Sequence, residues 1–403
     1  MPLPVRTFNV VARSLAPSLA RLDLDELEAT ARRREGLDDF GPTTFESGLH
    51  VLLDALEAEA NLSALGRFMA RGLILQLLAT RLRLEALIAR HPEIAEERIE
   101  APIFILGLPR TGTTHLHNLV SQHPRLRSLP YWESLEPIPA ALDEDPARAE
   151  AERRRRCELA LRFQRYAMPL FDAMHEMTPD AAHEEIQLLA AEFSTVLFES
   201  MYLIPSYGRW YKQTDQRTAY RYLRRMLQAL QWLRGPSRWV LKSPQHIEQL
   251  RTIHDVFPDA VVVQTHRDPV RVAASLCTMI AYGLRMQGAA VDPHAVGGYW
   301  LDRLEDFLRA GIADRDAVAG LRMLDVTFQD FMRDDVATAD RVLEFAGLPA
   351  SAASRDAITR YMAANPRGRH GTIEYRLDNF GLDAQQIRER LRFYQQHFDL
   401  QTE

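Results

Sequence analysis

Residues 103–114 read IFILGLPRTGTT, and no other stretch restricts the possible fold as much. A short apolar run closes on Gly107. After four intervening residues comes Gly112, then Thr113 and Thr114, then HLHNLVSQHP, which has helical spacing up to Pro124. An apolar run this short reads as a strand buried on both faces of a parallel sheet. A glycine turn leading into a helix aims backbone N–H groups at an anion. The spacing is that of a phosphate-binding loop, except that Thr113 stands where a nucleotide triphosphatase carries lysine. The plain alternative is an ordinary glycine turn. The two-glycine spacing, the threonine cluster and the strand–helix context weigh against it.

The rest of the chain supplies matching parts. RWVLKSP (238–244), AVVVQTHRDP (260–269) and MLDVTFQDF (323–331) read as further strands, and the segments between them carry helical periodicity. Strands alternating with helices predict an α/β fold with a P-loop-like, doubly wound parallel sheet flanked by helices. Ligands sit beyond the carboxyl ends of such strands. GLPRTGTT, KSPQH and HRDP all fall at that end, so they are expected to converge. Residues 1–98 read as a mostly helical N-terminal region and 99–403 as the α/β domain. A helical insertion is expected at about 143–235, broken at Pro169, Pro179 and Pro205. The run RRRR at 153–156 reads as a solvated helix face.

Composition excludes some classes. Lys and Arg number 49 against 55 Asp and Glu, a formal charge of −6, so no global positive field draws nucleic acid. The two cysteines, Cys157 and Cys277, form neither a CxxC pair nor a disulfide framework, which fits a reducing cytoplasm. No signal-peptide core and no apolar run of spanning length (about 18 residues) is present, so no membrane span is expected.

Magnesium chemistry is not expected. Neither VLKSP nor VVVQTHRDP is an apolar strand closed directly by aspartate, and Asp268 is wedged between Arg267 and Pro269. Arg267 instead suits a phosphate. Ser275 follows eight residues on, about two helical turns into the next helix, and both side chains can bond one phosphate. Taken singly, Arg267 would be a surface ion pair with Asp268, and Ser275 a small packing residue.

With PRTGTT (109–114), Arg267…Ser275, and the order YWE, LKSPQH, HRDP, RGRHGTIEYRLDNFGLD, the chain resembles the sulfotransferases that use 3′-phosphoadenosine 5′-phosphosulfate. It looks most like the bacterial branch with a long helical N-terminal segment, over roughly 101–403. The resemblance implies that Pro109, Arg110, Thr111, Gly112, Thr113 and Thr114 cradle the 5′-phosphosulfate and that Arg267 and Ser275 hold the 3′-phosphate. It implies that Arg367 and Arg369, beside Gly368 and His370, close over that phosphate, and that no metal takes part. Arg110 and Lys242 are the expected stabilisers of the leaving oxygen.

The animal enzymes of this family carry lysine at the position of Arg110 and a catalytic histidine at that of Pro244. The base must therefore come from elsewhere. Glu133, in LPYWESLEP, lies where heparan-type enzymes place a catalytic glutamate, with a solvated carboxylate as the plain alternative. His246 is the second candidate, with a first-turn helix residue as its alternative. HEMTPDAAHEE (175–185) reads as substrate-side, with Asp180 as a possible helix start. The aromatic- and Met-rich segments 157–211 and 278–300 suggest a hydrophobic alcohol, phenol or lipid as acceptor, against ordinary core. A homo-oligomer is compatible with the sequence. Two other readings stay open: a P-loop nucleotide-binding or degenerate kinase-like domain without transfer, and an aryl sulfate as donor.

Overall fold

The computed structural model describes residues 1–141, 144–349, 351–366 and 373–403. Its strands are β1 (Ile103–Gly107), β2 (Leu126–Arg127), β3 (Leu129–Pro130), β4 (Ala182–His183), β5 (Arg238–Lys242), β6 (Val261–His266) and β7 (Arg322–Thr327). Five of them form one parallel sheet in the order β2-β5-β1-β6-β7. β1 is central, with Ile103 level with Val240 of β5 and Val261 of β6. β3 and β4 pair antiparallel outside that sheet.

Alternation along the strands explains why both faces must be covered. Phe104, Leu106, Trp239, Leu241 and Val262 enter one core; Ile103, Ile105, Val240, Val261 and Val263 enter the other. Each such side chain contributes roughly 1.5–3 kcal/mol on burial. The first core also takes in Leu27, Leu52 and Leu78, so the N-terminal helices pack on the sheet through shared apolar surface.

Those helices start and stop where local chemistry directs. Asp23 caps Leu24–Glu35 at the Glu26 N–H (3.0 Å), and Gly36, at φ 65°, ends it. Ser63 caps Ala64–Arg90. That long helix carries Arg81, wholly buried and paired with Glu192. Arg81 donates to the carbonyls of Phe40 (3.0 Å), Pro42 (2.8 Å) and Ala191 (3.1 Å). Its guanidinium lies over the rings of Phe45 and Tyr222, which helps offset desolvation.

Three expectations are corrected. In the RRRR run, Arg153 is buried, donates to the carbonyls of Glu136 and Pro137, and lies over Trp132, because its position faces inward on the helix Pro146–Ala167. Asp180 starts no helix; it pairs with Arg154, and the chain continues into β4. The stretch around Tyr202, Tyr207 and Tyr211 is core rather than pocket, since all three rings are buried.

Candidate active site

The loop after β1 owes its shape to two glycines and one strained arginine. At Gly107 a Cβ would stand 2.1 Å from the Thr265 hydroxyl, so only glycine lets β1 leave beside β6. Gly112, at φ 90°, precedes the helix Thr113–Val120, which no side chain caps. Its first-turn N–H groups therefore lack a side-chain acceptor and carry the positive end of the helix dipole. Arg110 sits at φ 73°, left-handed geometry that costs a non-glycine residue on the order of 1 kcal/mol. Its side chain is held by Ser275 Oγ (3.0 Å from Nε) and by the Met174 carbonyl (2.7 Å from Nη1).

A cleft of about 640 Å³ opens over this loop. Arg110, Gly112, Thr113, Thr114, His175 and Arg267 are among its lining residues. The loop threonines divide. Thr114 lines the cleft and its Oγ1 lies 3.4 Å from Lys242 Nζ. Thr111 is buried; its hydroxyl donates to the Leu108 carbonyl (2.7 Å) and meets Thr265. It is thus taken out of the expected set of anion donors and holds the turn. Pro109, whose ring fixes φ, is partly buried in the same turn.

At the other end of the cleft, Arg267 and Ser275 meet through Arg110 rather than directly. Arg267 Nη1 donates to the Arg110 carbonyl (3.1 Å), while Ser275 accepts from the Arg110 side chain. The Arg267 guanidinium lies 3.8 Å from the centroid of Phe328, and Nε and Nη2 bond the Glu403 carboxylate at 3.1 and 2.9 Å. A carboxylate thus already occupies the arginine expected to hold a phosphate. Asp268 is not the surface partner of Arg267. It is fully buried and caps the helix Pro269–Gln287 at the Val270 N–H (2.8 Å).

Two expected bases fall outside the cleft. Glu133 is 1% exposed and clamped between Arg127 (2.6 Å) and Arg234 (2.9 Å). His246 is 0% exposed; Nε2 bonds Glu185 and Nδ1 bonds Tyr220 at 2.7 Å. Both are buried and fully paired within the fold. Lys242, also buried, pairs with Glu184 at the carboxyl end of β5. Arg367 and Arg369 lie outside the described residues.

Phe328 and Glu403, which the sequence reading did not single out, lie at the site, and His175 comes from the stretch read as substrate-side. Phe328 directly follows β7, the strand-end position at which ligand contacts are expected. His175 lines the cleft wall. Burial, then the charges of Lys242 and Arg110, lower its pKa to about 3 and keep it neutral. Glu403 carries no sequence signal of a role.

A cleft that holds Arg110 and Arg267 thus opens over an uncapped helix start at the carboxyl edge of a helix-flanked parallel sheet. The chain belongs to the sulfotransferase family, whose sequence profile matches residues 102–352. It is similar to the crystal structure of sulfotransferase STF1 from Mycobacterium tuberculosis H37Rv. The match has 30% identity and a TM-score of 0.79, covering 91% of this chain and 98% of that one. It is also similar to STF9 from Mycobacterium avium, at 27% identity and a TM-score of 0.82, over 94% and 97%. No curated protein matches it by sequence.

Proposed function

We propose that this sulfotransferase moves a sulfuryl group from 3′-phosphoadenosine 5′-phosphosulfate to a hydroxyl of a hydrophobic small molecule or lipid. The observation that carries the reading is the convergence of Arg110, Arg267 and Ser275 at one end of the cleft, with Lys242 against the loop at Thr114. The residues suit the donor. The uncapped helix start and Thr114 would meet its 5′-phosphosulfate, and the grip of Arg267 on the Glu403 carboxylate marks a ready anion site for the 3′-phosphate.

When bound, the donor supplies a sulfuryl group whose S–O bond to phosphate is the one broken. Lys242 and the loop N–H groups oppose the charge that gathers on the leaving oxygen. Two groups are placed to take the acceptor's proton. Glu184 shares the Lys242 ammonium, and His175 stands neutral in the cleft wall. Replacing each singly separates them, because the base is the one whose loss removes a limb of the pH–rate profile. Ala173 and Met174, in the cleft wall, would give the acceptor apolar contacts. A cytoplasmic setting belongs to the same proposal, since Cys157 and Cys277 are both buried and free.

The test is calorimetry with adenosine 3′,5′-bisphosphate, with and without magnesium, beside ATP and AMP. The expected result is metal-independent binding, with ATP and AMP weaker. Arg267→Ala should lose roughly ten- to a hundredfold, concentrated in the preference for the 3′-phosphate, as befits charge-assisted hydrogen bonds. Stronger binding of ATP–magnesium would point to a nucleotide-binding or kinase-like domain and overturn the reading.

A further inference from the structure

Beside the cleft, two helices turn apolar side chains outward. In the helix Leu3–Val11, Val5 is buried and Asn9 accepts from the Leu65 N–H (2.8 Å), which fixes the inner face. The opposite face therefore carries Leu3, Val10 and Val11, exposed by 74%, 76% and 71%. In the helix Pro146–Ala167, the buried residues Ala149, Arg153, Cys157 and Leu161 define the inner face. Helical spacing then sends Leu159, Phe163 and Tyr166 out, and all three are exposed.

The two helices are linked through their inner sides. The ring of Phe8 packs at 6.1 Å from Phe68, and the neighbouring Met69 packs with Ala167 and Met168. A few residues on, Asp172–His175 enter the cleft wall. The apolar faces thus lead towards the acceptor side of the cleft.

Charge says what covers them. The first 22 residues contain Arg6, Arg13 and Arg21 and no Asp or Glu, although the whole chain is at −6. All three arginines are exposed. On the second helix, exposed Arg155 and Arg162 flank the apolar residues, with Glu158 paired to Arg162 (2.7 Å). A second copy docking by a two-fold axis would bring two arginine-bearing patches of like sign together, which like-charge repulsion opposes. An anionic bilayer takes both features at once. Apolar side chains enter the acyl boundary and guanidinium groups meet headgroup phosphates.

We propose that the outer faces of Leu3–Val11 and Pro146–Ala167 form a docking surface for anionic lipid membranes, which delivers amphiphilic acceptors to the cleft. The docking itself needs no sulfuryl transfer, so it is read without turnover and stands or falls apart from the assigned chemistry.

The experiment is co-sedimentation of the full chain with phosphatidylcholine vesicles, with and without added phosphatidylglycerol. Partitioning should be at least tenfold stronger on the anionic vesicles and should weaken as salt rises, each nearby arginine being worth roughly fivefold. Val10→Asp with Val11→Asp should lower it at least tenfold without shifting Tm, because both positions are solvent-facing. Arg6→Glu with Arg13→Glu should abolish the preference for phosphatidylglycerol. Equal partitioning on both vesicle types, or none on either, would overturn the proposal. So would a dimer in sedimentation equilibrium that Val10→Asp with Val11→Asp dissociates, since the face would then belong to a second copy.

Discussion

Two polar clusters sit almost back to back at the carboxyl end of β5, and adjacent glutamates divide between them. Glu184, 18% exposed at its side chain, pairs with the Lys242 ammonium, which reaches Thr114 of the cleft wall. Glu185, wholly buried, takes the Lys242 backbone N–H (2.9 Å) and the His246 ring, which is bonded in turn to Tyr220. The residue types are the same on the two sides, but their reach differs. The first cluster can exchange partners with a ligand. The second is dry, and every bond it makes is to the fold. A ligand in the cleft can therefore reach only the first cluster, through Thr114.

The comparison is broken most directly by removing one member of the dry cluster. His246→Ala leaves the Glu185 carboxylate buried without its ring partner, which should cost about 3–5 kcal/mol of stability. Urea unfolding reads that loss, while activity per folded molecule should stay near that of the parent. Lost turnover at unchanged stability would instead return His246 to catalysis. Lys242→Ala should behave in the opposite sense. With the cation near the leaving oxygen gone, kcat/KM should fall about 10²–10³-fold, some 2.7–4 kcal/mol, and Thr114→Ala should lose far less.

The same contrast explains what could be read from the chain itself. The loop, the four main strands and the Arg267–Ser275 spacing depend on residues within one turn or one element, so local pattern exposes them. β2, β3 and β4 have two residues each, too few to show a period. Glu133 and His246 have the right residue type at the right kind of position. Most of the partners that bury them are distant in sequence: Arg234 lies 101 positions from Glu133 and Glu185 lies 61 from His246. Burial and long-range partners decide between a structural acid and a catalytic one. Within the stretch read as substrate-side, only the tertiary fold sets His175 beside Arg110 and Lys242.

A third buried polar residue sharpens the picture through pH. His117 is 0% exposed, and its Nε2 faces the Val240 carbonyl at 3.2 Å. Burial, then the charge of Lys242, lowers its pKa from 6.5 to about 4. Below pH 6.5 the unfolded chain binds a proton at this site that the folded chain refuses. Stability is therefore complete above pH 6.5 and falls as pH drops towards 4, by about 1.4 kcal/mol per pH unit from this group. Replacing His117 by leucine should flatten that part of the stability–pH curve. An unchanged slope between pH 6.5 and 4 would show that His117 is protonated in the folded protein.

The smallest effect concerns the cleft cluster and its internal anion. The Glu403 carboxylate is bonded by Arg267, and its backbone N–H donates to Asp268 (2.9 Å), so the chain itself holds it there. A nucleotide whose 3′-phosphate uses Arg267 must displace this carboxylate. The pair is partly exposed, 23% at Arg267 and 19% at Glu403, so its worth falls in the range of about 0.2–1 kcal/mol measured for accessible ion pairs. Glu403→Gln keeps the shape and removes the charge. Affinity for adenosine 3′,5′-bisphosphate should then rise about one-and-a-half- to fivefold, with no change for AMP, which lacks the 3′-phosphate. In an Arg267→Ala background the gain should vanish, because the anion and the phosphate would no longer compete for one guanidinium. An equal gain for AMP would mean that Glu403 acts on the nucleotide through general charge and not through Arg267.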